Sequence, residues 1–460
     1  VCLEYNVRQF FRDVGWKPMN GAIHYLSRFF LTALFASLLV SVQSGCGWHV
    51  DEEDELPQTM TLTAEVVTPS QVSLQWTAHT DPVAGYDLYR DGVAVNDIHL
   101  PDISYSDNDL QPNTRYCYIV YAVEAVVGTV ARSNEVCLTT PTTEGWNIET
   151  VATGTDPALA LDASNAPHVS FRNTGGVSLA VKTDSTWQLE VVDANAGNFG
   201  DTDVQLDESG ADHLSYWDYT TNTLKVASNA TGVWLGLLLD SGGNVNALAL
   251  DQAGAAHIAY SISEIGSLNY ASNVSGNWLT QWIAGVGNGT IYDTDILVND
   301  AGAVHLVYTL GNVQACVLYY MTNSGGNWVE QIIARDTNCG VSLAENSTGQ
   351  LHVAYTTPFG LWHGHRAAGA WVTEQVDEFD WIGGDRVSLA IDEADFLHIA
   401  YRDQNEDLKY ATDISGSWEL VYIDSGGQVG YAPAIAVDPL GTVSIAYEDR
   451  ENGTVKLVSH

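Results

Sequence analysis

Seven tryptophans constrain the architecture of this chain more tightly than any other feature. Trp187, Trp234, Trp278, Trp328, Trp371 and Trp418 recur in phase, each opening a short β-like run near the end of a repeat of about 45 residues. The seventh, Trp146, stands alone before the first repeat, and the last repeat reaches His460 where its own tryptophan would come. A unit divided between the two ends of an array predicts a closed ring. Residues 146–152, WNIETVA, are then expected beside His460, completing the last unit and covering an edge strand that would otherwise be open.

Each unit reads as four short strands. The first alternates and ends in Asp or Asn: ALALD, DVQLD, ALALD, DILVN, SLAEN, SLAID and AIAVD. Six residues later stands His168, His213, His257, His305, His352 or His398, with Ser444 in the seventh unit. A third strand carries an apolar residue ten positions before each tryptophan, and the tryptophan opens the fourth. Seven such units predict an all-β, seven-bladed β-propeller over 142–460. The pattern resembles bacterial seven-bladed propellers in general, which implies a fold and no particular activity. The strict phase of the tryptophans argues for packing between blades rather than a row of sugar platforms. Equivalent histidines lie apart around a ring, so a shared zinc is not expected; a local His–Asp hydrogen bond within each hairpin is.

Residues 57–141 show a different alternation, with SQVSLQW, AGYDLYRDG and LQPNTRYCYIVYAV as strands. Trp76 in the second strand, with Leu110, Pro112, Thr114 and Tyr116 before the sixth, resembles a fibronectin type III domain. That resemblance implies a two-sheet sandwich whose corner tyrosine bonds back to the backbone. It also puts Cys117 and Cys137 on paired strands, where they can bridge. Cys316 and Cys339 flank the third and fourth strands of the fourth blade, whose ends antiparallel pairing brings to one face, and a second disulfide is expected there. The tripeptide Arg-Gly-Asp is absent, so the domain reads as a spacer.

The N-terminal 45 residues read as a leader. Residues 29–42, FFLTALFASLLVSV, have the length of a signal-peptide core and are too short to span a bilayer. Ser44 and Gly45 lead to Cys46, so the segment resembles a bacterial lipoprotein signal, although Gln43 stands where an apolar residue is usual. Acylation of Cys46, a start at Met19 and an acidic tether over 46–56 follow as expectations, placing the protein on the cell envelope. Export in turn permits disulfides.

Charge narrows the partners. With 57 Asp and Glu against 17 Lys and Arg, the surface repels nucleic acid and anionic lipid. No cofactor is expected; calcium is the ion such a charge would suit, on charge alone. A monomer is expected.

The loops after the fourth strands are rich in Asp: DANAGNFGDTD, GVGNGTIYDTD and DEFDWIGGD. In a propeller they share a face with the loops between second and third strands, around the channel mouth. The ligand-binding candidates are Asp193, Trp217, Tyr219, Tyr292, Asp293, Asp295, Phe359, Asp377, Asp380, Trp381, Asp385 and Tyr431, with Phe379 on the same face. Aromatic faces beside carboxylates suit a sugar, whose C–H face stacks while its hydroxyls bond to polar groups. No Asp-box, Gly-x-Ser-x-Gly or His-Glu-x-x-His occurs, so no catalytic residue is assigned. The expectation is a surface protein binding a glycan or protein. A glycan hydrolase or lyase using two carboxylates is the alternative, and a purely structural envelope role the third.

Overall fold

In the computed structural model residues 56–460 are described, except 69–70, 97, 109, 112–113, 127, 141–144, 198–199, 263–265, 286–288, 313–314, 380–385 and 426. Met19, Cys46, Pro112, Asp380, Trp381 and Asp385 therefore lie outside the described residues.

The N-terminal domain is a sandwich of two sheets. Leu62–Thr68, Gln71–Trp76 and Ser104–Asp107 form one, and Gly85–Arg90, Arg115–Glu124 and Gly128–Ser133 lie at the centre of the other. A short strand, Gln58–Met60, adds to that second sheet in parallel. Trp76, 2% exposed, fills the core between the sheets and meets the Tyr86 ring edge-on at 5.7 Å. The corner forms as the resemblance implies: the backbone N–H of Gln111 donates to Tyr116 Oη at 2.9 Å. Cys117 and Cys137 face each other across neighbouring strands and form a disulfide.

Seven four-stranded antiparallel sheets follow. Their innermost strands are Thr155–Leu161, Thr202–Leu206, Asn246–Leu250, Thr290–Val298, Val341–Glu345, Val387–Ile391 and Tyr431–Val437, one for each of blades 1 to 7. Each touches the next, and the seventh touches the first, so the ring is closed. The fourth strand of blade 7 is Asn147–Thr153, paired antiparallel with Thr454–Ser459 from Asn147↔Ser459 to Thr153↔Thr454. Trp146 is 7% exposed, and its ring lies 4.9 Å from that of His460. The divided repeat is thus one blade built from both ends of the array.

The turn after each innermost strand explains the recurring Asp or Asn. In all seven blades its Oδ1 accepts backbone N–H groups two and four residues on, as Asp207 does from Ser209 and Ala211 at 2.9 and 3.0 Å. The same pair recurs at Asp162, Asp251, Asn299, Asn346, Asp392 and Asp438. Three residues after the acceptor the chain enters the left-handed region, with φ of 80° at Gly210. Glycine takes that conformation without strain, and Asn165 and Asp395 hold it in blades 1 and 6.

The tryptophans sit at the blade joints. Trp328 meets Tyr270 of the preceding blade edge-on at 5.3 Å, Trp371 meets Tyr320 at 5.5 Å and Trp146 meets Tyr410 at 5.2 Å. In the fifth blade His363 takes the tyrosine's place, 5.6 Å from Trp418. The histidines lie beneath the same joints. His213 and His257 reach the turn carboxylates of Asp207 and Asp251 through Nε2 at 2.9 and 3.4 Å. The other nitrogen adds a contact that spacing alone did not suggest: Nδ1 of His257, His305 and His398 lies 2.5, 2.6 and 2.5 Å from the hydroxyls of Tyr270, Tyr320 and Tyr410. A turn, a histidine, a tyrosine and the next blade's tryptophan are therefore linked across the joint.

Candidate functional site

Antiparallel strand order places the loops entering each innermost strand on one face with the loops between second and third strands. The disulfide Cys316–Cys339 lies there, its Cα atoms 5.3 Å apart, tying the start of the third strand of blade 4 to the segment that leads into blade 5. Cys339 O also accepts the Thr309 hydroxyl at 2.6 Å. The two bridges suit an oxidising compartment.

The axial channel opens on this face as a cavity of about 130 Å³, lined from all seven innermost strands. Because strand side chains alternate with period two, Asp156, Asp201, Asp293 and Arg386 belong to one ring of channel positions, and Asp203 and Asp295 to the next. Arg386 forms an ion pair with Asp201, which belongs to a blade three places away around the ring. The guanidinium thus spans the channel. Burial opposes its charge, yet Asp201, Asp293, Asp156 and Asp203 around it hold it protonated above the ordinary arginine value.

These carboxylates are committed to the neighbouring blades. Asp203 accepts the N–H groups of Val204 and Leu248, both at 2.7 Å. Asp293 accepts Thr294 and Val341, both at 3.0 Å. Asp295 accepts Ile296 and Leu343 at 2.8 Å and the Ser342 hydroxyl at 3.0 Å. Ser342 and Ser388 continue the pattern toward Leu389 and Ile435. Burial nevertheless dominates: Asp203 and Asp293 are pushed up to about 7, and Asp201 and Asp295 are raised as well.

The other sequence candidates separate into two groups. Asp193 lies in the joint between blades 1 and 2, where Tyr216 donates to it at 3.1 Å and Lys225 at 2.9 Å. Asp377 holds the equivalent place before blade 6, taking Tyr401 at 2.7 Å and Lys409. Asp424 repeats the arrangement before blade 7 with Tyr447 and Lys456. Tyr431 is 6% exposed, its ring held between the guanidiniums of Arg402 and Arg450 at 3.7 and 3.6 Å, and its hydroxyl donates to Glu406. Phe379 is 7% exposed and stacks on Tyr401.

What remains open is a rim. Tyr219 is 55% exposed and Phe359 66%, one in blade 2 and the other in blade 5. Tyr219 meets the Trp217 ring edge-on at 5.3 Å, and Trp217 Nε1 donates to Asn222 at 3.0 Å, so this aromatic pair is held in position. The loop beneath it is fixed by Arg172, fully buried, which donates to the carbonyls of Gly200, Asp201, Ala196 and Gly197. A Cβ on Gly200 would lie 2.5 Å from the Trp217 ring, so that close approach requires glycine. Tyr292 is half-buried at the start of the innermost strand of blade 4. The N-terminal domain meets the same face at blade 6, where the hydroxyls of Thr114 and Ser425 lie 2.5 Å apart. Among the described residues no cluster of three or more His, Cys, Asp or Glu is arranged to hold a metal ion.

Sequence reading missed Arg386 and Asp201 as partners. The signal was available in the repeat: both occupy the position two residues before the aligned first-strand Asp203 and Ser388.

The buried groups give a signed pH dependence. His305 and His352 are pushed down to about 4, chiefly by burial, and His257, His363 and His398 are lowered too. Their stabilisation is complete above the unfolded histidine value of about 6.5 and is lost as pH falls through the depressed values. Asp203 and Asp293 act oppositely: the fold favours their protonated form, so stability declines as pH rises from about 4 to about 7. The two windows overlap and oppose each other from about pH 4 to about 6.5, and only the carboxylate effect continues to about pH 7, so thermal unfolding between pH 4.5 and 8.5 should show no rise in Tm above about pH 6.5. A Tm that climbs steadily to pH 8.5 would contradict the carboxylate contribution.

No family model matches the chain. Among curated proteins, Exoglucanase B of Cellulomonas fimi is 31% identical over 178 residues, 37% of this chain and 15% of that protein. An alpha-amylase of Niallia circulans is 39% identical over 117 residues, 25% of this chain and 8% of that protein. A chitinase of Paenibacillus xylanexedens is 33% identical over 130 residues, 27% of this chain and 22% of that protein. The chain thus spans less than a quarter of the length of each of these relatives. Among solved structures, the six-bladed propeller of the fungal Aleuria aurantia lectin gives a TM-score of 0.41 at 14% identity, over 60% of this chain and 98% of that one. An auxiliary nutrient-binding protein from Bacteroides ovatus gives 0.42 at 12% identity, over 88% of this chain and 100% of that one. A polysaccharide lyase gives 0.47 at 11%, over 70% and 92%. This chain has seven four-stranded antiparallel blades preceded by a separate β-sandwich.

Proposed function

We propose that this chain is an exported surface protein whose propeller loop face binds a glycan, with Cys46 as its acylated anchor and the β-sandwich as spacer. The observation that carries the reading is the division of the loop face. Its channel carboxylates are engaged by N–H donors of adjoining blades and by Arg386, while Tyr219 and Phe359 stand exposed on the rim. Exposed aromatic rings suit stacking on the C–H face of a sugar. Catalysis by two carboxylates needs both to be free to reach a substrate, and the hydrogen bonds of Asp203, Asp293 and Asp295 disfavour it. Stretches shared with a glucanase, an amylase and a chitinase support polysaccharide as the ligand class.

The test is a glycan array with the full chain, followed by calorimetry on any hit. Tyr219→Ala should weaken binding about tenfold, in keeping with roughly 1–1.5 kcal/mol for a stacked aromatic contact, with Tm changed by less than about 2 °C. Phe359→Ala should act similarly if the ligand spans the rim. Release of sugar from a polysaccharide panel, or unaltered binding in both variants, would count against the reading.

A further inference from the structure

One position breaks the pattern of the blade joints. In the pairing of second and third strands, Tyr270, Tyr320, Tyr410 and His363 lie opposite Ala259, Val307, Ala400 and Ala354. Each places a ring between the blade's histidine and the next blade's tryptophan. At the same register blade 2 has Val226, opposite Ser215. Blades 1 and 7 have Leu179 and Leu457 there, so valine is the smallest side chain in the set. The volume it leaves is not filled by its neighbours. A cavity of about 180 Å³ lies between blades 2 and 3, lined by Val226, Leu237, Leu248 and Trp278, with His213 and Asn273 as polar groups. It opens past Leu235 and Leu237, which are 59% and 49% exposed.

His213 is set as its counterparts are. Its Nε2 lies 2.9 Å from Asp207 Oδ2, which places the proton on Nε2 and leaves Nδ1 an acceptor. In blades 3 and 6 that acceptor takes a tyrosine hydroxyl. In blade 2 the hydrogen bond described for the ring runs to Asp207 alone. Trp278 likewise presents a ring to the joint where Trp328, Trp371 and Trp146 each meet a tyrosine.

We propose that this cavity is a binding site for a small phenolic ring. The tyrosines of blades 3 and 6 are the template: the ring meets the Trp278 indole edge-on and its hydroxyl donates to His213 Nδ1. Apolar walls supply burial, as in cavities that take up free aromatic molecules, and the acceptor selects for a hydroxyl. The site lies at the joint between blades 2 and 3, away from the rim aromatics, and does not depend on the glycan reading.

Calorimetric titration of the full chain with p-cresol tests it, with toluene and a methyl pyranoside as comparison probes. Saturable one-site binding of p-cresol is expected, with toluene at least fivefold weaker for want of the hydroxyl. Val226→Tyr should abolish binding and raise Tm by filling the joint. Val226→Leu, the smaller change that blades 1 and 7 already carry, should weaken it and covers the case in which the tyrosine variant fails to fold. Equal affinity for toluene, non-saturable uptake, or p-cresol binding unchanged in both variants would overturn the proposal. So would a methyl pyranoside binding in place of p-cresol and being lost in Val226→Leu.

Discussion

Arg386→Met is expected to lower stability at pH 8 by about 3–5 kcal/mol, a fall in Tm on the order of 10 °C. The guanidinium is the cation that the channel carboxylates share: it pairs with Asp201 and lies within the field of Asp156, Asp203 and Asp293. Its removal leaves those groups facing one another where water screens them poorly. Asp201, Asp203 and Asp293 can respond by taking up protons, and their values are already raised with the arginine present. The deficit should therefore shrink between pH 8 and pH 6, which separates an electrostatic role from simple loss of packing. Arg386→Lys keeps the charge and loses the planar fork, so an intermediate Tm is expected. A deficit below about 1 kcal/mol, or one that does not change with pH, would show that the channel tolerates unpaired acids.

The same arginine shows why only part of the molecule was legible in the sequence. Features set by neighbouring residues could be read directly: an Asp or Asn ends the first strand of each unit, with a histidine six residues on in the first six, and the tryptophans mark one place in every repeat. Pairings between blades were hidden, because Arg386 and Asp201 meet only after the ring closes. Asp193 and Asp377 read as loop ligands because each ends a strand before an Asp-rich loop. Their engagement follows instead from lysines at one register in the following blades, Lys225 and Lys409, with Lys456 repeating it beside Asp424. Those lysines sit one residue after the aligned apolar position of the third strand, so comparing blades column by column would have exposed them. Tyr431 resisted any local reading, since its partners Arg402 and Arg450 come from two other segments. Exposure decided the rim: Tyr219 and Phe359 differ from the buried aromatics in environment, not in residue type.

Closure of the ring through Asn147–Thr153 leads to the other large effect. A chain beginning at Gly145 should fold with a cooperative thermal transition, because it keeps all four strands of blade 7. One beginning at Gly154 should not. Without that strand, Thr454–Ser459 becomes an open edge with unpaired N–H and C=O groups, a template for association with other chains. The lost strand also removes Trp146 and Val151, 7% and 6% exposed, from the clusters joining blade 7 to blades 6 and 1. Truncation of the tryptophan alone, Trp146→Ala, is expected to cost about 3–5 kcal/mol. Loss of the whole strand should exceed this and leave a chain that elutes as aggregates. A synthetic peptide spanning residues 145–154 supplies the missing edge in register, so adding it during refolding should restore a monomeric species with native-like circular dichroism. If the chain beginning at Gly154 is monomeric and as stable as the longer one, ring closure by this strand contributes nothing to the fold. If neither chain folds, the β-sandwich is required by the propeller, and the contact of Thr114 with Ser425 is the first place to look for the dependence.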